Sequence, residues 1–307
     1  MRVPCSAANE ALNERLAGIV DAFYDLRFDE ASVGARSIEK EFPGHPAGPF
    51  YAGMVHYQRY LIEDPPSDAT LKSFEAEFRR AAQACENVRA KDPASAERYL
   101  GALSGFHARV LIAQGHYAAA LPKARKAVKH LRRAVELDPS DEDALLGLGM
   151  YDYFLSRVPA AAKPFSYLIV GMWGDRERGL KRLQRAAAGG GPSRMEARSV
   201  LAALLGSDRE KRWDEAQSLL DELAARYPGN PLHRLRAVYV AERRGDYRRA
   251  LAMADPDGAW LDRLEPSIRD RSRREARLRA EEAARLLSGR HQDVAPFRWP
   301  LPALPEP

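Results

Sequence analysis

Trp213-Asp214-Glu215-Ala216, continued by Leu220 and Leu223 and closed by Tyr227-Pro228-Gly229-Asn230-Pro231, is the stretch that decides the fold. Ala216, Leu220 and Leu223 recur at intervals of four and three, which places them on one face of a helix. Pro228 ends that helix, because proline lacks an N–H and its ring clashes with the preceding turn. The pattern returns in Gly245-Asp246-Tyr247-Arg248-Arg249-Ala250, where Ala250 lies 34 positions after Ala216. In both copies an aromatic residue stands three places before a small one. The distance from small residue to proline also repeats: Ala31 to Pro43, Ala81 to Pro93 and Ala216 to Pro228 are each 12 positions. A helix–turn–helix unit returning at a fixed period predicts stacked units that share one continuous core.

Working outward, the first pair of helices is expected at about Asn9–Leu26 and Phe28–Phe42, and the second at Phe50–Ile62 and Thr70–Ala90. The third is expected at Glu97–Gln114 and Tyr117–Leu137, joined by the tight turn Gly115-His116. Ser140 with Asp143 predicts a capping box for the first helix of a fourth pair, which runs to about Ser156. An insertion, Arg157 to Gly174, precedes its partner helix Arg176–Ala187, which Asp175 should cap and Gly189-Gly190-Gly191-Pro192 should end. Ser193 and Glu196 predict a second capping box opening a fifth pair, and the sixth closes near Ala254. Pro266–Leu287 reads as one long Arg-rich amphipathic helix with Leu278, Ala283, Leu286 and Leu287 along it, suited to covering the last unit. No sustained alternation of apolar and polar residues competes for strand.

These units resemble the tetratricopeptide repeat (TPR) family over roughly Asn9 to Asp255. The resemblance implies an all-α, right-handed superhelical solenoid of antiparallel helix pairs with a C-terminal capping helix. The expected organisation is an N-terminal arm at 1–8, a solenoid at 9–255 interrupted at 157–174, a capping helix at 256–290 and a Pro-rich tail at 291–307. The stretch Tyr151-Asp152-Tyr153-Phe154, through Pro159 and Lys163 to Gly174-Asp175-Arg176-Glu177-Arg178-Gly179-Leu180, is similar to bacterial TPR proteins of unassigned function, many of them cell-envelope proteins. That resemblance implies a binding scaffold and no catalytic residues.

The 307 residues are 45% hydrophobic and 30% charged, with a net charge of +5. Such a chain can build a core and is not of disordered composition. The modest, diffuse positive excess does not define a nucleic-acid site. Of the two cysteines, Cys85 falls on a helical face with Ala81, Ala82 and Val88 and reads as a small core residue. Cys5 follows only Met1-Arg2-Val3-Pro4, too short for an apolar leader. The longest apolar run, Phe165 to Trp173, falls short of the ~20 residues that span a bilayer. As given, the chain reads as cytoplasmic, or as periplasmic or envelope-located if its start lies further upstream.

Catalytic and metal motifs are missing. Gly189-Gly190-Gly191 lacks the Gly-Lys-Ser/Thr of a phosphate loop, and the seven histidines form no HExxH. No GxSxG occurs. Neither an enzymatic role nor a cofactor is expected, although an enzyme whose groups meet only on folding stands as a third reading. Gly147-Leu148-Gly149 lies inside a helix, where small residues allow close helix approach. Arg269, Arg271, Arg273, Arg274, Arg277 and Arg279 alternate with acidic residues, the pattern of a solvated, salt-bridged face rather than a nucleic-acid patch.

In the TPR arrangement the first helix of each pair lines the concave face. The register places Phe50, Met54, Tyr57, Arg109, Met150, Tyr153, Phe154, Arg198, Leu205, Tyr239 and Arg243 there. Met54, Tyr57, Arg109, Tyr153, Phe154, Arg198, Tyr239 and Arg243 are the expected contacts for a protein or peptide partner, since Tyr, Met and Arg are enriched at interfaces. The paired Asn and Lys of chaperone-binding TPR proteins are absent. Phe297, Trp299 and Leu301, set among prolines, could occupy the groove or dock elsewhere. The alternative function is a membrane-peripheral envelope factor using the aromatic insertion 160–173.

Overall fold

A computed structural model describes residues 5–63, 66–157 and 173–289 together with Val294 and Phe297, the side chains of 5–10 excepted. Among the described residues the chain is all-helical, with 13 α-helices and no strand. They are α1 Cys5–Tyr24, α2 Phe28–Glu41, α3 Ala47–Ile62, α4 Asp68–Val88, α5 Pro93–Ala113, α6 Tyr117–Leu137, α7 Glu142–Ser156, α8 Arg176–Ala188, α9 Arg194–Leu205, α10 Trp213–Arg226, α11 Pro231–Arg243, α12 Tyr247–Ala254 and α13 Pro266–Leu287. A short 3-10 turn, Ala259–Arg263, joins the last two. Consecutive helices pack against one another along the chain, and α1, α3, α5 and α7 also touch their second neighbours. The insertion is described only at its edges, Arg157 and Trp173 to Gly174. The N-terminal arm was expected over 1–8, and α1 begins within it, at Cys5.

Four connections between helices end on a left-handed residue in the same place. Leu26, Gly115, Lys211 and Gly245 all take positive φ, at 61°, 78°, 52° and 78°. Each stands two residues before the aromatic that opens the next helix: Phe28, Tyr117, Trp213 or Tyr247. In three of these turns the intervening residue donates its N–H back across the helix end, Arg27 to the Ala22 carbonyl, His116 to Leu111 and Asp246 to Ala241, at 2.8, 2.8 and 2.9 Å. This closure satisfies carbonyls that a helix end otherwise leaves open, and it favours glycine at the left-handed residue. Three places beyond each aromatic, Ala31, Ala120, Ala216 and Ala250 are buried. The sequence period is therefore a repeated turn geometry.

Two predicted capping boxes are corrected. The fourth pair's first helix is capped by Asp141, which accepts the Ala144 N–H at 2.8 Å, not by Ser140. Asp143 instead accepts from Arg98 at 2.5 Å and from the Ser193 N–H at 3.1 Å. Ser193 makes no side-chain cap of its own, and Glu196 is drawn into a long-range cluster. Both acids had better partners across the fold, because a charge-assisted bond to arginine is stronger than a neutral local one. Asp175 does cap α8, accepting the Arg178 N–H at 2.9 Å. Leu278 is exposed, and α13 buries Ile268, Ser272, Ala276, Arg279, Ala283 and Leu286.

The two ends of the chain share a core. Leu16, Ile19 and Phe23 of α1 belong to the same apolar cluster as Leu223, Tyr227 and Leu235 of the α10–α11 region and Ile268 of α13. Each fully buried leucine or phenylalanine contributes about 2 kcal/mol relative to exposure. Polar clasps reinforce the junction. The Tyr227 hydroxyl donates to Asp21 at 2.6 Å, the Gly229 N–H to Asp25 at 2.8 Å and the Asn230 amide to the Tyr24 carbonyl at 2.7 Å.

Helices α7 and α8 approach closely through glycines. A Cβ on Gly179 would lie 2.7 Å from the Tyr153 nitrogen, and one on Gly149 would lie 3.1 Å from the Gly179 carbonyl oxygen. At this crossing the Asp152 carboxylate, fully buried, accepts from Arg178 at 2.5 Å and from Arg182. Glu210 accepts the Tyr153 hydroxyl at 2.9 Å and the Arg176 Nε at 2.9 Å. Burial alone would raise the Glu210 pKa, but these donors hold it below the usual carboxylate value.

Candidate ligand-binding site

Where α1, α5, α9 and α11 converge, charged and aromatic side chains gather in an otherwise apolar interior. Arg109 of α5 donates to Glu196 of α9 at 2.6 Å, and the buried Tyr24 hydroxyl of α1 donates to the same carboxylate. Burial, then the adjacent Glu196 charge, pushes the Tyr24 pKa well above its ordinary value, so the hydroxyl stays a donor. The Arg109 guanidinium lies 5.3 Å from the Tyr57 ring centre and 5.1 Å from that of Phe106. Such stacking suits arginine, whose flat guanidinium is weakly hydrated on its faces.

Three groups in this cluster lack the partners their chemistry calls for. The Tyr57 hydroxyl is buried without a hydrogen-bonding partner among the described residues. His233 is 2% exposed between Tyr24 and Tyr227, with neither ring nitrogen partnered among the described residues. Desolvation, with a contribution from Arg236, lowers the His233 pKa to about 3, so the ring is neutral. Arg236 has no ion pair or hydrogen bond to any described residue, and its guanidinium lies 5.8 Å from the Phe297 ring centre. Desolvation brings its pKa down to about 10, with Glu196 and Tyr24 opposing and Arg109 adding to the fall. The local formal charge is one carboxylate against two guanidiniums.

Phe297 bridges the two main apolar clusters and meets the Tyr239 ring at 6.2 Å. Val294 packs against one of these clusters as well. The tail expected as a candidate groove occupant therefore places one aromatic against this site, while Trp299 and Leu301 lie outside the described residues.

The residues expected to meet a partner fall into three groups. Tyr57 and Arg109 come together in the cluster, Met54 is buried near Tyr57, and Tyr239 meets Phe297. Tyr153 is buried and bound to Glu210, with Phe154 edge-on to it at 5.6 Å. Arg198 bonds Glu222 at 2.8 Å and the Ala187 carbonyl at 3.1 Å, and Arg243 pairs with Asp208 and lies over Trp213. These last two arginines therefore tie neighbouring helices together outside the cluster. Sequence reasoning did not single out Tyr24, His233 or Arg236, and it read Glu196 as a local cap. The one available signal was a pair of polar residues, His233 and Arg236, on a helix whose other members are mostly apolar.

Other surfaces carry less. A groove along α8 is lined by Leu145, Asp175, Arg178, Lys181 and Arg182, but Arg178 and Arg182 are engaged by Asp152. No cluster of three or more His, Cys, Asp or Glu able to hold a metal occurs among the described residues. No described helix is long and apolar enough to cross a membrane. The insertion 160–173 lies outside the described residues except for Trp173, which is exposed. No protein-family model matches this chain, and no curated protein matches it.

Proposed function

We propose that the chain is a non-enzymatic binding scaffold. In this reading its helix pairs are TPR-like units of a right-handed superhelical solenoid, α13 caps the last unit, and the inner side holds a peptide of a protein partner. The observation that carries the reading is Phe297. A residue from a Pro-rich tail sits against Tyr239 and Arg236, as an aromatic anchor of a docked peptide does. The recurring left-handed turns with their buried alanines, and the second-neighbour contacts of α1, α3, α5 and α7, support the stacking of similar units.

The test uses the full chain carrying Phe297→Ala and a fluorescent peptide of residues 290–307. Saturable binding in trans, at least about tenfold tighter to this variant than to the native chain, is the expected result, because a tethered tail competes at high effective concentration. If the peptide binds neither protein, the reading fails.

A further inference from the structure

The interior cluster contains an unbalanced cation, and that imbalance specifies a ligand. Arg109 has its carboxylate, Glu196, and Tyr24 donates to the same group. Arg236 approaches both but has no acceptor among the described residues, only the face of Phe297. The facing groups are Tyr24 of α1, Tyr57 of α3, Arg109 of α5, Glu196 of α9 and His233 of α11. Among them only Glu196 is acidic, and it is already shared. The buried Tyr57 hydroxyl, beside the Arg109–Glu196 pair, is a second donor without an acceptor. An anion next to an apolar or aromatic group would meet the needs of this cluster: charge for the guanidinium and apolar surface for the place Phe297 takes.

We infer that Arg236 is the anion subsite of the inner face, and that it takes the carboxylate of an acidic peptide at a residue flanked by an aromatic side chain. This deepens the peptide-binding reading and rests on it. A guanidinium that meets a carboxylate away from bulk water forms a short, charge-assisted, two-pronged bond, stronger than one between neutral groups. The subsite differs from Arg178 and Arg182 of α8 and from the buried Arg279 of α13, because those are held by acids of their own chain.

The probes are 3-phenylpropionate and its uncharged amide, added to the full chain carrying Phe297→Ala and followed by calorimetry. The acid is expected to bind about tenfold more tightly than the amide, the size of one charge-assisted contact. Arg236→Gln in the Phe297→Ala background should abolish that preference, and Arg236→Lys should restore part of it. Circular dichroism melts check folding, and Arg236→Gln should melt no lower than its parent, because it removes a cation without an acceptor. Equal binding of acid and amide, binding of neither, or an acid preference that survives Arg236→Gln would each overturn the inference. The tail-peptide experiment separates the two readings. A peptide that binds without an acid preference sinks the subsite alone. An acid preference with no peptide binding sinks the peptide reading and leaves a site for a small free carboxylate.

Discussion

Around Asp152 each acid has its arginines, although Arg157, over the Tyr153 ring, keeps a buried Nε without a partner among the described residues; around Arg236 it is the acids that run short. Asp152 takes Arg178 and Arg182, and the neighbouring Glu210 takes Arg176 and Tyr153. In the second cluster Glu196 serves both Arg109 and Tyr24, while Arg236, His233 and the Tyr57 hydroxyl go without among the described residues. Both lie between helices, so depth does not account for the difference. Polar groups that hold a fold together are satisfied within it, because an unpaired buried group costs about 1–3 kcal/mol. The cluster around Arg236 departs from that rule at the His233 ring and the Tyr57 hydroxyl. The matched cluster stands at the edges of the insertion, and the unmatched one stands where the chain's two ends and its tail meet.

The largest expected effect breaks the matched side. Asp152→Ala leaves Arg178 and Arg182 facing a buried space, and the Trp173 carbonyl keeps only one of them engaged. A loss of about 3 kcal/mol in urea unfolding is expected, at the low end for removing one partner of a buried pair because both arginines retain access to water. A loss below about 1 kcal/mol would show that the cluster is not structural, since that is the range of an exposed ion pair. Its contrast with Arg236 would then dissolve.

His233→Phe sharpens the unmatched side. Phenylalanine fits between Tyr24 and Tyr227 without an orphaned N–H, so the variant should be more stable by about 1–2 kcal/mol at neutral pH. The pH dependence adds a second readout. The folded pKa of about 3 lies below the ordinary value of 6.5, so the unfolded chain takes up the proton first. Stability is therefore retained above pH 6.5 and falls as the pH drops from 6.5 towards 3, with a slope approaching about 1.4 kcal/mol per unit. His233→Phe should remove that acid arm from a series of urea titrations. An unchanged acid arm would assign it to carboxylates instead.

The all-α class, nearly every helix and the tight turns were legible in the sequence, because they rest on local rules. Proline stops, aromatic–small spacing and Asp175 as a cap depend only on near neighbours. Tyr117–Leu137 and Pro266–Leu287 fall where the periodicity placed them. The site was far less legible, for a physical reason visible in Asp143 and Glu196. Each stands three residues after a serine, as a capping box requires, yet each bonds an arginine that lies 45 or 87 positions away in sequence. A local motif shows that an acid could be used nearby. It does not show that a stronger cationic partner arrives once the helices stack. Tyr57 and Arg109 were found because interface-prone residue types at first-helix positions happen to line this junction. Arg236 escaped because a polar residue on a mostly apolar helix is a weak signal, and the absence of a partner that marks it shows only once the helices are stacked.

The smallest effect tests whether local geometry is uniform where long-range matching is not. Gly115 and Gly245 occupy their left-handed turn positions without strain, but Lys211 holds a φ of 52° in the corresponding place before Trp213. A side chain in this region costs about 1 kcal/mol through its Cβ, while glycine loses more chain entropy on folding. Lys211 is exposed, so its replacement removes little packing. Lys211→Gly should therefore stabilise the protein by about 0.5 kcal/mol, read as a higher urea midpoint at unchanged slope. A lower midpoint would mean that this turn is held by contacts of the Lys211 side chain. The four turns would then share a shape without sharing an energetic basis, and the division between locally determined turns and a non-locally determined site would no longer hold at α9–α10.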